Sequence, residues 1–150
     1  MKAILQRCLA ASVIADGEQA GKIGHGLFIL LGVLKGDTEA DADVLAEKIS
    51  KLRIFDDENG KLNLSVKDVE GSALVVSNFT LSADYKKGNR PDYFAAEAPA
   101  RANELYEYFS EALCTRGIHT ENGVFGADMK ISLEADGPVT IDMDSQILKK

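Results

Sequence analysis

The chain has 150 residues, of which 45% are apolar and 27% charged, and its formal net charge is −7 at pH 7. This length and composition are typical of one globular domain with its own core, and the negative charge argues against a simple nucleic-acid-binding module, because such domains are usually basic. No apolar run reaches the length of a membrane span, and the first residues become polar too early for a signal peptide. We therefore expect a cytoplasmic protein without a membrane partner.

The first part of the chain predicts a β-meander. Apolar residues are frequent through residues 2–13, and Asp16-Gly17 between apolar flanks is a strong hairpin signal leading to a second strand at 18–23. A nearly uninterrupted apolar run at 27–34 then predicts a central, fully buried strand.

Two amphipathic helices are predicted. Thr38 and Asp41 approximate a capping box at the start of the first helix, whose apolar residues then fall close to one face. Pro99 begins the second helix at the position that proline tolerates best, and Gly117 fits a C-cap. Each helix is therefore expected to pack its apolar face on the sheet.

The remaining strands complete an α/β fold with a mixed β-sheet and two main helices packed on one side. One buried strand lies between the helices at 73–76, with a short strand before it at 62–64. Three closing strands are predicted after the second helix, at 118–120, 130–135 and 139–143. We assign residues 1–145 to a single domain and residues 146–150 to a short C-terminal tail.

Cysteine and histidine give no sign of a metal site. Cys8 and Cys114 are far apart and are predicted to be reduced core thiols, with Cys114 on the apolar side of the second helix. Neither His25 nor His119 has a further ligand at a suitable spacing. We expect neither a metal nor another cofactor.

Polar side chains appear abruptly at the end of the strand at 73–76, in the stretch Ser77-Asn78-Phe79-Thr80-Leu81. Such strand ends often carry chemistry in α/β proteins, because the strand is rigid and its exit faces a crevice. Strand alternation would put Ser77 and Phe79 on one face, with Asn78 and Thr80 on the other. From composition alone, hydroxyls that satisfy turn amides are the commoner situation.

This stretch resembles the Ser-Gln-Phe-Thr-Leu motif of the D-aminoacyl-tRNA deacylases, and Gly137-Pro138-Val139-Thr140 resembles their Gly-Pro-Val-Thr motif. The likeness covers nearly the whole chain apart from residues 146–150, and it implies a three-layer α/β/β, barrel-like fold. Four further family landmarks occur in the right order: Gln6-Arg7, Leu52-Arg53-Ile54-Phe55, Lys87-Gly88-Asn89-Arg90-Pro91 and Phe125-Gly126-Ala127-Asp128-Met129.

Two residues depart from the family pattern. Asn78 stands where the family usually has glutamine, so its amide reaches one methylene less far. Ala135 stands where the family commonly has asparagine, which removes a possible hydrogen bond that would support the Gly137-Pro138 turn.

The resemblance implies hydrolysis of the ester that joins a D-amino acid, or glycine mischarged on tRNA-Ala, to the terminal adenosine of tRNA. Residues 77–80 would form the catalytic site, where water attacks with help from the ribose hydroxyl of the substrate. Phe79 and Thr80 would act mainly through their main-chain N–H groups. Thr80 would also position the substrate, and its role as a nucleophile stays open.

The resemblance also implies a homodimer. A cis Gly137-Pro138 bond of one subunit would enter the pocket of the other and block the side chain of an L-amino acid with its carbonyl groups. From sequence alone, a simple turn between strands is the commoner reading of Gly-Pro. Phe125 and Met129 are expected to line the pocket or the adenine site, and Arg7 to brace the turn.

A local basic surface would suit a tRNA substrate in an acidic chain. Lys86, Lys87 and Arg90 follow the motif directly and are candidates for phosphate contacts. An ordinary solvated loop is the alternative.

Two other functions remain open. The chain could be a catalytically weakened module of the same fold that binds aminoacyl-tRNA ends, with Asn78 and Ala135 as signs of lost activity. A small-ester hydrolase that uses Ser77 is the weakest hypothesis, because the sequence has neither a Gly-x-Ser-x-Gly elbow nor an evident base.

Overall fold

Strand β1 (Lys2–Ala15) organises the sheet in the computed structural model, which describes residues 1–149. One edge of β1 pairs antiparallel with β3 (Gly26–Gly32) through its first half and with β2 (Glu18–Ile23) through its second half. The other edge pairs with the long strand β8 (Met129–Asp144). Because β1 changes partners midway, the sheet curls into a nearly closed, barrel-like shape.

The rest of the sheet is parallel. β6 (Ser72–Ser77) pairs with β3, and β7 (His119–Asn122) pairs with β6. The strand order is β2-β1-β3-β6-β7, with β8 beside β1, and the predicted mixed sheet is confirmed. Two short strands, β4 (Phe55–Asp56) and β5 (Leu62–Leu64), form a separate antiparallel pair.

Helices α1 (Glu39–Lys51) and α2 (Pro99–Thr115) begin where their caps predict. The Asp41 carboxylate accepts a hydrogen bond from the Thr38 N–H at 2.9 Å, as a capping box requires. Gly117 follows α2 with a φ of +88°, and its N–H donates to the Cys114 carbonyl at 2.9 Å.

The two faces of β3 explain its uninterrupted apolar run. Leu27, Ile29 and Leu31 belong to the core beneath the helices. Phe28 belongs to a second buried cluster inside the barrel, with Cys8 and Leu74. A strand buried on both faces needs apolar side chains at successive positions, so the three-layer arrangement and the sequence agree.

One sequence expectation about the strands was wrong. The segments 130–135 and 139–143 are parts of one strand, β8, rather than two. Its pairing with β1 is interrupted only locally, because Cys8 pairs with Ala135 and Gln6 with Thr140. Residues 136–139 therefore bulge opposite the single residue Arg7.

The expectation that Cys114 is a core thiol was also wrong. Cys114 is exposed, whereas Cys8 is buried. Leu113 faces the core with its side chain fully buried. Because successive residues of an α-helix point in directions about 100° apart, the residue after Leu113 is turned away from that core.

The chain after β8 continues into a short helix, α3 (Ser145–Leu148). The Ser145 hydroxyl donates to the buried Asp41 carboxylate at 2.7 Å, so α3 lies against α1. Lys150, part of the predicted tail, lies outside the described residues. No helix within residues 1–149 is long and apolar enough to cross a membrane.

Candidate active site

The sequence motif 77–81 lies where β6 ends. Ser77 is the last residue of the strand and pairs with Leu31 of β3. The Asn78 N–H donates to the Leu31 carbonyl at 2.8 Å, and the chain then turns into one 3₁₀ turn, Phe79–Ser82. The predicted alternation of side chains was therefore wrong beyond Ser77, because the backbone is no longer extended.

The Asn78 side chain stabilises this change of direction. Its Oδ1 atom accepts a hydrogen bond from the Thr80 N–H at 3.2 Å, which caps the 3₁₀ turn. The Thr80 hydroxyl donates to the same oxygen. The Asn78 side chain thus accepts hydrogen bonds from both donors of Thr80, its N–H and its hydroxyl.

A glycine on β3 lets the turn approach the sheet. A Cβ atom on Gly32 would lie 2.9 Å from the Leu81 Cβ and 3.2 Å from the Asn78 carbonyl oxygen. Any side chain there would push the turn away, so Gly32 helps to set the position of the motif.

A cavity of about 600 Å³ opens beside the motif. Its walls come from the end of β6, the loop before α2, the first turn of α2 and the segment before β8. The lining residues are Val33, Ser77, Asn78, Phe79, Tyr93, Ala96, Glu97, Ala98, Pro99, Ala102, Phe125, Gly126, Ala127 and Met129. Five residues predicted for the site, Ser77, Asn78, Phe79, Phe125 and Met129, therefore share one cavity.

The cavity wall also contains residues that sequence reasoning missed. Tyr93 packs edge-to-face on Phe79, with ring centroids 5.2 Å apart, and Ala96 to Pro99 continue the wall. The sequence signal was weak, since an aromatic residue in a polar loop has no periodicity. Only the return of the loop toward β3 brings Tyr93 to the motif, through the bond from the Lys35 N–H to the Ala95 carbonyl at 2.9 Å.

Neither histidine and neither cysteine serves the motif as a base or nucleophile. The His25 ring contacts Phe55 edge-on at 5.2 Å, and His119 pairs with Glu121 at 2.8 Å. Burial raises the pKa of the Cys8 thiol to about 11, so this thiol is protonated at neutral pH. Within residues 1–149, no three His, Cys, Asp or Glu side chains cluster as metal ligands would.

Thr80 is exposed and does not line the cavity, although it adjoins residues that do. Its hydroxyl donates to an amide oxygen, which is not a general base. The geometry therefore gives Thr80 a held orientation without activating it as a nucleophile.

The structure does not bring Gly137 and Pro138 to this cavity of the same chain. Both residues are exposed on β8, and the peptide bond between them is cis. A Cβ atom at Gly137 would lie 2.7 Å from the Val139 nitrogen, and its φ is +129°, so only glycine fits this bend.

Arg7 braces the bulge of β8 at residues 136–139, which contains the bend at Gly137 and Pro138. The side chain is 6% exposed, and its Nε donates to the Asp136 carbonyl at 3.2 Å, next to the Asp136 carboxylate. Its Nη1 donates to the Ile54 carbonyl at 3.0 Å and to the Asp56 carboxylate at 3.2 Å. Arg7 thus joins the bulge of β8 to β4.

The basic residues Lys86, Lys87 and Arg90 lie on the exposed loop after the 3₁₀ turn and do not line the cavity. A reciprocal pair of backbone bonds between Asp84 and Asp92, each 2.9 Å, closes this loop as a hairpin. The cations therefore project beside the site rather than into it.

Comparison with known proteins identifies the family. A sequence model described as D-Tyr-tRNA(Tyr) deacylase matches residues 4–144. The chain belongs to the D-aminoacyl-tRNA deacylase family.

Named relatives of this deacylase family match at full length. The D-aminoacyl-tRNA deacylase of Ruegeria pomeroyi is 54% identical over 144 residues, which cover 96% of this chain and 99% of the relative. That of Persephonella marina is 55% identical over 148 residues, which cover 99% of this chain and 100% of the relative.

Solved structures share this fold. The c-Myc DNA unwinding element binding protein superposes with a TM-score of 0.89 at 41% identity, covering 96% of this chain and 98% of the other. A probable eukaryotic D-amino acid tRNA deacylase superposes with a TM-score of 0.83 at 15% identity, covering 95% of this chain and 97% of the other. This likeness shows a shared fold. All six deacylase landmarks lie in or overlap the matched residues, whereas α3 follows them.

Proposed function

We propose that this chain hydrolyses the ester bond between a D-amino acid, or glycine, and the 3′-terminal adenosine of tRNA. The observation that carries the proposal is the cavity of about 600 Å³ at the end of β6, in a chain whose residues 4–144 match the deacylase family. Ser77 and Asn78 contribute polar groups to its wall, and Phe79, Phe125 and Met129 contribute apolar surface suited to a base or an amino acid side chain.

The proposed chemistry uses water and backbone donors. Water attacks the ester carbonyl with help from the neighbouring ribose hydroxyl, and the N–H groups of Phe79 and Thr80 stabilise the developing oxyanion. The Asn78 oxygen accepts the Thr80 N–H at 3.2 Å, a long bond that the substrate can replace. Ser77 and Thr80 orient the substrate, and no metal or other cofactor takes part.

Rejection of L-amino acids is assigned to Gly137 and Pro138 of a second copy. This assignment is supported by their exposure and by their absence from the cavity of their own chain. β8 is a 16-residue edge strand with mostly exposed side chains, and such edges are usually covered. A homodimer would cover β8 and carry the bend braced by Arg7 into the partner's cavity.

The tRNA itself is proposed to contact the loop after the motif. Lys86, Lys87 and Arg90 are all exposed, and they would neutralise backbone phosphates near the 3′ end. The proposal includes a cytoplasmic location, where aminoacyl-tRNA is made and used.

The test is deacylation of matched D-tyrosyl-, L-tyrosyl- and glycyl-tRNA by the wild type and by Thr80→Ala, with a chelator present. We expect cleavage of the D-tyrosyl and glycyl esters and sparing of the L-ester. A slower but measurable rate for Thr80→Ala would show that Thr80 positions the substrate. Complete loss of activity would instead identify Thr80 as the nucleophile. Cleavage of the L-ester at the same rate would overturn the chiral role.

The two-chain site has its own test. Thr80→Ala and Gly137→Ala homodimers are mixed after unfolding and refolded together. One of the two cavities in each mixed dimer then combines an intact motif with an intact Gly137, so selective deacylation should return to about half of wild type per mixed dimer. A monomer by sedimentation would contradict the homodimer.

One observation favours a second candidate, a weakened module that binds aminoacyl-tRNA ends. The Asn78 oxygen already occupies the Thr80 N–H that catalysis would need. Binding of D-tyrosyl-tRNA without cleavage, by a folded wild-type dimer, would favour this candidate.

A further inference from the structure

Two aromatic rings stand out on the surface beside the site. Phe94 is 79% exposed and Tyr85 is 76% exposed, more than any other large apolar side chain in the described part of the chain. Both lie in the loop that joins the 3₁₀ turn to α2. Rings so exposed add little stability through burial, and their faces are accessible to a ligand.

Two aspartates, Asp84 and Asp92, order the loop that carries both rings. Asp84 and Asp92 bond reciprocally through their backbones, and their carboxylates accept further loop amides. The Asp84 Oδ1 accepts the Lys86 N–H at 3.0 Å, and the Asp92 Oδ1 accepts the Phe94 N–H at 3.3 Å. The loop is thus an ordered hairpin, and both carboxylates are engaged within it.

The hairpin is anchored at the mouth of the cavity. Tyr93, next to Phe94, packs on Phe79 and lines the cavity. On the other side of Phe94, the Glu97 N–H donates to the Val33 carbonyl at 3.0 Å. Phe94 therefore projects outward from a segment whose neighbours are fixed in the cavity wall.

The charge at the tip of the hairpin differs from that of the chain. Residues 85–91 contain Lys86, Lys87 and Arg90 and no acidic residue, although the whole chain has a net charge of −7. Exposed rings interleaved with cations are typical of surfaces that bind single-stranded nucleic acid, where bases stack on the rings and cations follow the phosphates. Lysine is depleted in the cores of protein interfaces, which disfavours a second copy as the occupant.

We propose that Tyr85 and Phe94 form a stacking platform for the unpaired nucleotides that precede the terminal adenosine of the tRNA substrate. The inference rests on the proposed function, since it places the terminal adenosine in the adjoining cavity. The platform recognises the RNA strand and does not touch the ester.

The test compares two substrates, D-tyrosyl-tRNA and D-tyrosyl-adenosine, which lacks every nucleotide before the ester. For Tyr85→Ala and Phe94→Ala, we expect kcat/KM on the tRNA to fall at least about five-fold per ring, mainly through KM. The rate on the adenosine ester should not change. Tyr85→Phe and Phe94→Tyr keep a stacking ring and should restore tRNA cleavage, and Ile147→Ala, at an exposed position on α3, is the matched control.

Three results would overturn the platform. The first is an unchanged KM on tRNA in the double alanine variant. The second is an equal loss of kcat/KM on both substrates, which would mean that the rings affect the ester reaction in the cavity rather than binding of the RNA strand. The third is a change in subunit number by sedimentation, which would assign the rings to an interface between copies.

A binding measurement separates this inference from the proposed function. If the wild type cleaves neither ester, the proposed function fails, and the affinity for uncharged tRNA decides the platform. The double alanine variant should then bind intact tRNA at least about five-fold more weakly, while tRNA trimmed of its unpaired 3′ nucleotides binds both proteins equally. Equal loss on intact and trimmed tRNA would refute stacking on the 3′ end.

Discussion

The Asn78 side-chain oxygen accepts hydrogen bonds from both the N–H and the hydroxyl of Thr80, so one amide caps the 3₁₀ turn and orients the residue proposed to position the substrate. Asn78→Ala should therefore lower the free energy of unfolding by about 1 kcal/mol, as loss of a cap does. Urea unfolding of the variant and of the wild type measures this effect.

Asn78→Gln tests whether the Asn78 oxygen competes with the substrate for the Thr80 N–H. The longer side chain cannot keep the same short-range contacts with Thr80, so the Thr80 N–H becomes available to the substrate. We expect cleavage of D-tyrosyl-tRNA at least as fast as in wild type, with slightly lower stability. Asn59→Gln, in an exposed turn away from the cavity, is the control. Loss of activity in a stable Asn78→Gln protein would contradict competition between Asn78 and the substrate for the Thr80 N–H.

Arg7 is expected to matter for both stability and selectivity. Arg7→Ala removes four contacts to Asp136, Ile54 and Asp56 and should lower the free energy of unfolding by roughly 2–4 kcal/mol. The effect stays below that of a fully buried ion pair because both carboxylates remain partly solvated.

Selectivity gives the Arg7 prediction a second readout. Freeing the bend at Gly137 should raise the cleavage of L-tyrosyl-tRNA relative to the D-ester under conditions where the variant is folded. Arg53→Ala, which removes an exposed arginine bonded to Asn63, should leave the D to L ratio unchanged. An unchanged ratio in folded Arg7→Ala would contradict the bracing role.

Gly32 offers a steric test of how the sheet positions the motif. In Gly32→Ala, the added methyl group would lie 2.9 Å from the Leu81 Cβ, so the 3₁₀ turn must shift. We expect a loss of roughly 1–3 kcal/mol in stability and a larger fall in kcat than in substrate affinity. Gly24→Ala is the control, because its Cβ would meet no atom within 4 Å. Equal kinetics for the two variants would refute the steric role.

The acid sensitivity of the fold is expected to depend on Asp41. Burial raises the pKa of this carboxyl, but hydrogen bonds from Ser145, the Thr38 N–H and Lys149 outweigh it, and the net shift is downward. A depressed folded-state pKa contributes stability above the unfolded-state value, about 3.9, and this contribution is lost as the pH falls through the folded-state pKa.

Asp41→Asn should therefore be clearly less stable than wild type at pH 7, and the difference should shrink below about pH 4. Urea midpoints measured from pH 7 down to pH 3 test this expectation. Asp128→Asn, at a side chain that is 80% exposed, should show no such convergence. A difference that stays constant with pH would contradict the linkage.

Local signals in the sequence determined much of this protein. Asp16-Gly17, the Thr38–Asp41 capping box and Pro99 act through the backbone of their own few residues, so their turn and helix starts could be predicted without a fold. The motif at 77–81 and the Gly137-Pro138 pair were recognisable for the same reason, and the matched family confirms the assignment they suggested.

Tertiary structure alone decided how these local pieces meet. The return of the loop toward β3 puts Tyr93 against Phe79, and the pairing of β1 with β8 sets Arg7 opposite the bulge that carries Gly137. The chain leaves the extended conformation after Ser77, and the Asn78 side chain then bonds to Thr80, which strand alternation does not anticipate. Such contacts join residues through strand register and loop closure, and a single sequence contains no periodic signal for either.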